Sequence, residues 1–228
     1  MRVDVWSDVI CPWCAIGHRR FAAGLDLFEA AGGDRASLTV VPRAFQLDPT
    51  APLRPTPMPE VYAAKFGGPQ RAAQLIAGIT EAAAEAGWEF HLDRALRANT
   101  FDAHRLIALA GTLGEAGSTG RALEVEARLM RAYFTDGRDV ADVAVLLECA
   151  GSVGMEPAEV AAALESGGGS AHVEADLAEA SERGITAVPT FVFDPDGAEG
   201  GFALPGAQDP QLFARVLSKM AGGVGPPS

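Results

Sequence analysis

Cysteine is scarce: the chain of 228 residues has three, Cys11, Cys14 and Cys149. That is too few for a disulfide scaffold at this length, and in a reducing compartment a close pair is catalytic or metal-binding rather than structural. Basic charge is short as well. Eighteen Lys and Arg face thirty Asp and Glu, a net charge of -12, and such a field repels phosphate backbones and anionic lipid surfaces. Nucleic-acid and membrane partners are therefore not expected. No apolar run reaches the roughly 18 residues that a membrane span needs, because the strongest stretch, Val140 to Ala150, contains Asp142 and Glu148. A basic leader with a following apolar segment is also missing, since Val3 to Ile10 carries Asp4 and Asp8 and runs into Cys11. The expected location is the cytoplasm.

What is present is an ordinary globular composition, 48% hydrophobic and 21% charged. The length allows one elaborated domain or two small ones. Val3 to Val9 reads as a strand ending at Cys11-Pro12-Trp13-Cys14. Ile16, Phe21, Leu25, Leu27 and Phe28 recur at near-helical spacing, Gly32-Gly33 supplies a stop, and Leu38 to Phe45 reads as a second strand. This βαβ unit should have parallel strands and a right-handed connection. Five prolines between Pro49 and Pro59 exclude a helix or central strand there. From Glu60 to Leu164 the pattern is helical, without an internal repeat. A helix over Ser170 to Arg183, short strands at Thr190 to Phe193 and Phe202 to Leu204 around a turn at Asp194 to Gly197, and a helix over Pro210 to Met220 complete the chain. The expectation is an α/β fold, βαβ and αββα, interrupted by an all-helical insertion. Residues 1–48 and 173–221 would form one discontinuous domain, 49–172 the insertion and 222–228 a Gly- and Pro-rich mobile tail.

A Cys-x-x-Cys between a strand and a helix in a βαβ unit is a thioredoxin-like redox pattern. At a helix start the unpaired backbone N–H groups and the positive dipole end favour a thiolate, which makes Cys11 the nucleophile. Cys14, one turn on, is placed to attack the mixed disulfide and release the substrate. Pro12 suits the first turn, where its missing N–H costs nothing. The alternative, half of a zinc site, needs further ligands. Only Cys149 and the separated His18, His91, His104 and His172 remain for that purpose, so no metal is expected. Gly167-Gly168-Gly169 lacks the Lys-Ser/Thr sequel of a phosphate loop.

Three segments carry a family likeness: Ser7-Asp8-Val9 before Cys11-Pro12-Trp13-Cys14, Asn99 to Arg105, and Ala187-Val188-Pro189-Thr190-Phe191 followed by Gly206-Ala207-Gln208. Together they resemble the FrnE branch of DsbA-like thiol-disulfide oxidoreductases over nearly the whole chain. The resemblance implies a thioredoxin fold with a helical insertion, redox chemistry at Cys11 and Cys14 with Trp13 between them, and a cis proline at Pro189. Val188 would then offer its backbone to an extended substrate by strand addition. The implied substrates are dithiol or disulfide proteins or small molecules. The redox-active pair replaces any bound cofactor, and glutathione is a candidate co-substrate. Kappa-class glutathione transferases and 2-hydroxychromene-2-carboxylate isomerases resemble the same architecture, but their glutathione site needs no second cysteine, and Cys14 argues against that class. Some members of the branch carry an additional cysteine pair, whereas here only Cys149 is left, among Val145, Leu146, Leu147 and Ala150, which reads as a buried small hydrophobe.

Three further residues are candidates, two of them with a second reading. His18 shares a helix face with Cys11 and Cys14 and would bias the thiolate, or it is solvated beside Arg19 and Arg20. Asn99 and His104 would line the groove for substrate. Alternatively, Asn99 or Thr100 simply caps the next helix.

Overall fold

The computed structural model describes residues 1–52, 55–113, 118–194 and 201–222. Most of the turn expected at Asp194 to Gly197, and all but the first residue of the expected tail, lie outside them.

The chain opens with β1 (Arg2–Ser7), α1 (Pro12–Ala30) and β2 (Thr39–Ala44). The strands pair parallel, with Val3 opposite Val40 and Val5 opposite Pro42. After seven α-helices among the described residues the chain returns as β5 (Thr190–Phe193), β6 (Phe202–Pro205) and α9 (Pro210–Ala221). β5 pairs antiparallel with β1, so the four-stranded order is β2-β1-β5-β6. The βαβ and αββα halves therefore share one sheet.

Strand alternation decides what each face meets. Val3 and Val5 of β1, and Phe191 and Phe193 of β5, point to one face, where Phe21, Leu25 and Phe28 of α1 and Phe213, Val216 and Leu217 of α9 cover them. Complete burial of such side chains contributes roughly 1.5 to 3 kcal/mol each. α1 and α9 approach closely because Gly24 has no side chain: a Cβ there would stand 2.6 Å from Phe213 Cβ and 2.9 Å from the Pro210 carbonyl oxygen. On the opposite face lie Asp4, Trp6 and Val192, with Ala180 packed on Trp6 and Val192.

The helices between the two halves are α2 (Met58–Phe66), α3 (Pro69–Glu85), α4 (Phe101–Thr112), α5 (Thr119–Phe134), α6 (Val143–Ser152), α7 (Pro157–Glu165) and α8 (Ser170–Glu182). The expected domain boundary at residue 173 lies within α8. A buried ion cluster ties α8 to the sheet: Arg43 reaches Asp176 at 2.9 Å and Asp4 at 3.4 Å and also pairs with Glu179. Asp176 Oδ2 additionally accepts the Ala44 backbone N–H at 2.8 Å.

The proline-rich segment departs from expectation at its end. Thr56–Pro57 forms a two-residue strand, β3, paired with β4 (Leu96–Arg97), and Pro59 lies in the first turn of α2. A proline is tolerated there because the first-turn N–H groups have no helical partner. Among the described residues no helix is long and apolar enough to cross a membrane.

Candidate active site

β1 ends at Ser7, and the next residues carry the chain into Cys11, the N-cap of α1, which keeps an extended backbone at φ -84 and ψ 114. Its carbonyl accepts the Cys14 and Ala15 N–H groups at 3.0 and 3.2 Å. Pro12 occupies the first helical position. This turn brings Cys11 and Cys14 within 3.3 Å of each other. Cys14 is fully buried and Cys11 4% exposed, whereas Trp13 between them is 45% exposed.

The loop before β5 meets this turn. The Val188–Pro189 bond is cis, and Cys11 Sγ lies 3.7 Å from the Val188 carbonyl oxygen, to which its S–H can donate. The close approach depends on Gly17, where a Cβ would stand 2.8 Å from Pro189 Cγ. Gly206 N–H donates to the Pro189 carbonyl at 2.7 Å, and Arg20 Nη1 donates to the Ala207 carbonyl at 2.8 Å. Val188 is half-buried, and its N–H has no hydrogen-bond partner among the described residues.

Behind the pair the environment is polar and buried. Burial pushes the Cys14 thiol well above the ordinary thiol range, and the hydrogen bond and charge of Cys11 add to the rise. Asp8 acts in both directions, its backbone hydrogen bond lowering the Cys14 value and its charge raising it. The Asp8 carboxylate is itself buried. Oδ2 accepts the Leu47 N–H at 2.8 Å, and Oδ1 lies 3.3 Å from His104 Nε2. His104 is 3% exposed; its Nε2 faces Asp8, and it borders a cavity between α4, α5, α8 and β2. Asn99 Oδ1 accepts the Phe101 N–H at 2.9 Å at the start of α4, and its Nδ2 donates to the Pro49 carbonyl at 3.3 Å. That is a helix-capping arrangement, in which Thr100, the N-cap residue itself, makes no side-chain cap.

His18 does not turn toward the thiols. Its Nε2 lies 3.3 Å from Ser7 Oγ and 3.4 Å from Glu126 Oε1 on α5. Burial would lower the His18 pKa, but the Glu126 charge and hydrogen bond raise it overall. Burial would likewise raise Glu126, and the His18 charge and hydrogen bond hold it below the ordinary carboxylate range. Cys149 is 7% exposed on α6, and burial pushes its thiol up despite the opposing Arg138 charge.

Sequence reasoning gave no role to Glu126 or Tyr62. Tyr62 on α2 packs, partly buried, against the core cluster that includes Cys11 and Cys14, and burial, then the charge of Cys11, pushes its hydroxyl up. Neither residue has a sequence signature, because both reach the site through packing of the inserted helices. Among the described residues no cluster of three or more His, Cys, Asp and Glu is arranged to hold a metal.

The DSBA-like thioredoxin domain family matches residues 2–218. The chain belongs to this family. A probable DsbA oxidoreductase from Streptomyces coelicolor is similar at 32% identity and a TM-score of 0.85, over 100% of this chain and 92% of that one. The cytosolic disulfide reductase DsbM from Pseudomonas aeruginosa is similar in fold, with a TM-score of 0.66 at 20% identity, over 98% of this chain and 100% of that one. A 2-hydroxychromene-2-carboxylate isomerase has the same fold at a TM-score of 0.57 and 16% identity, over 91% of this chain and 89% of that one. No curated protein matches the chain. The match over residues 2–218 gives the chain a DsbA-like thioredoxin fold, and with it a thiol-disulfide oxidoreductase in general.

Proposed function

We propose that this protein is a thiol-disulfide oxidoreductase of the FrnE branch, working through Cys11 as nucleophile and Cys14 as resolving thiol. The observation that carries the reading is the pair itself: two thiols within 3.3 Å at the start of α1, against the Val188 carbonyl. In the reductive direction the Cys11 thiolate attacks one sulfur of a substrate disulfide. A Cys11–substrate disulfide forms, and the other substrate sulfur leaves as thiolate. Cys14 then gives its proton to Asp8 and attacks Cys11 Sγ, so the second substrate sulfur leaves. The Cys pair is oxidised and the substrate reduced; oxidation of a dithiol and disulfide isomerisation use the same steps in other orders.

An extended substrate would pair with the Val188 backbone, while the exposed Trp13 ring offers an apolar surface beside the attacking sulfur. The substrate class is a protein or small molecule carrying a disulfide or dithiol, and glutathione fits as co-substrate because its thiol can enter the same exchange. The cytoplasm is the proposed setting. Three cysteines with one close pair fit a reducing compartment.

The test is a pair of variants challenged with glutathione disulfide and a disulfide-bonded protein. Cys14→Ala should accumulate mixed disulfides on Cys11, and Cys11→Ser should accumulate none. If Cys14→Ala kept full turnover on an aromatic glutathione-dependent isomerisation while the wild type showed no disulfide exchange, the isomerase or transferase reading would replace this one.

A further inference from the structure

The cavity of about 130 Å³ between β2, α4, α5 and α8 has a lining that runs from the buried His104, Glu126 and Asp176 to the exposed Thr112, Thr119 and His172. It therefore joins the interior to solvent. Its volume is enough for several waters, and the buried groups supply the polar partners that water needs in such a place. His104 links this cavity to the dithiol. It borders the cavity, and its Nε2 lies 3.3 Å from the Asp8 carboxylate. Asp8 is fully buried and is not part of the cavity wall. A proton that reaches Asp8 thus meets the cavity through His104.

Burial makes the charge balance of this region strict, because an unpaired buried charge is costly. The charge of His104 also reaches Glu126 on α5 and Asp176 on α8. Both of those carboxylates have other cations. Glu126 lies 3.4 Å from His18, and Asp176 lies 2.9 Å from Arg43 of β2 and 3.8 Å from His172. Arg43 is in turn shared with Asp4 and Glu179. Asp8 is the hydrogen-bond partner of His104, through Nε2, and Nδ1 has no partner among the described residues. Nδ1 is then the atom through which the ring can exchange a proton with the cavity.

We propose that His104 relays the Cys14 proton between Asp8 and solvent through this cavity. The proposal rests on the thiol-exchange reading above and gives its resolving step a proton exit. In the dithiol protein Asp8 is a carboxylate paired with a His104 imidazolium. When Cys14 attacks Cys11 Sγ, the Cys11–Cys14 bond forms, the bond to the substrate sulfur breaks, and the substrate leaves as thiolate. The Cys14 proton passes to Asp8. His104, its counter-charge gone, releases the Nδ1 proton to cavity water and keeps Nε2–H. When the pair is reduced, Asp8 returns its proton to the Cys14 thiolate, and the restored carboxylate draws a proton from water onto Nδ1. One proton crosses the cavity per redox change, and the Asp8–His104 pair is neutral in both states.

The test reads His104 itself and then the route. Nitrogen NMR of the labelled full chain at neutral pH, with His104→Gln to assign the ring, should show an imidazolium in the dithiol form and a neutral Nε2–H ring in the disulfide form. For the route, Gly111→Leu places an apolar side chain in the cavity wall and leaves Asp8 and His104 unchanged. A Cβ at Gly111 would meet Ala122 Cβ at 3.9 Å, an ordinary contact. Resolution of a preformed Cys11–glutathione disulfide should slow at least about tenfold in Gly111→Leu and in His104→Ala, while the first attack by Cys11 keeps its rate. Imidazole added to the buffer should restore part of the His104→Ala rate and none of the Gly111→Leu rate. The same ring state in both redox forms, unslowed resolution in Gly111→Leu, or a folded His104→Ala that imidazole does not rescue would each overturn the relay alone. A wild type that exchanges no disulfide would overturn the thiol-exchange reading instead.

Discussion

Asp8 Oδ1 and His104 Nε2 lie 3.3 Å apart, in a site where Asp8 is fully buried and His104 only 3% exposed. Asp8 immediately precedes the turn into Cys11, and its carbonyl accepts the Cys11 N–H at 3.0 Å. The carboxylate also acts on Cys14, whose thiol burial has already pushed up. A thiol so placed has to lose its proton in order to attack, and in the proposed function the buried Asp8 carboxylate is the group that would receive it.

Replacement of Asp8 by Asn keeps an acceptor for the Leu47 N–H but removes the proton acceptor. General base assistance is worth about 10² to 10⁴ in rate. Resolution of a preformed Cys11 mixed disulfide should therefore slow by about 10²-fold at neutral pH, while the first attack by Cys11 changes only a few-fold. Stopped-flow measurement of the two steps separates them. An equal loss in both would mean that Asp8 merely holds the turn together.

Reduced protein treated with iodoacetamide at neutral pH should lose Cys11 first, at least about tenfold faster than Cys149. Exposure does not decide this, because Cys11 is 4% and Cys149 7% exposed. What differs is position: Cys11 is the N-cap of α1, whereas burial pushes Cys149 up within α6. Mass spectrometry of the alkylated peptides gives the order, and a faster Cys149 would reverse the assignment of reactive and inert thiols.

The features legible in the sequence were the local ones. Cys11 and Cys14 are one helical turn apart, so their meeting follows from the strand-to-helix boundary. The apolar spacing of Phe21, Leu25 and Phe28 identified the face of α1 that covers the sheet. By contrast, β3 and β4 are two residues each, too short to leave a periodic pattern. Pro59 reads as a breaker unless the helix start is known. His18 has the spacing of a thiol neighbour, but helical spacing says nothing of what stands opposite, and the opposing Glu126 comes from α5. The Asp8–His104 pair joins residues 96 apart, and no local pattern links them. Pro189 was placed at the dithiol only through the family resemblance.

The His18–Glu126 pair yields the last prediction, because its contribution to stability should depend on pH in a defined window. The Glu126 pKa is lowered in the folded protein; its contribution is present above the unfolded value, about 4.3, and is lost as pH falls through the folded value. The His18 pKa is raised; its contribution is full below the unfolded value, about 6.5, and is lost as pH rises through the folded value. Both groups are charged between these limits. His18→Ala should therefore cost the most stability between about pH 4.3 and 6.5, on the order of 3 kcal/mol, since it strands a buried carboxylate. The cost should shrink at higher pH, where wild-type His18 is itself neutral. Adding Glu126→Gln to His18→Ala should recover part of the loss, because the amide needs no counter-charge. Urea unfolding of wild type, single and double variants across pH 4 to 9 reads all three effects. A His18→Ala cost that does not vary with pH would show that packing of the imidazole, rather than its charge, supports α5 against α1.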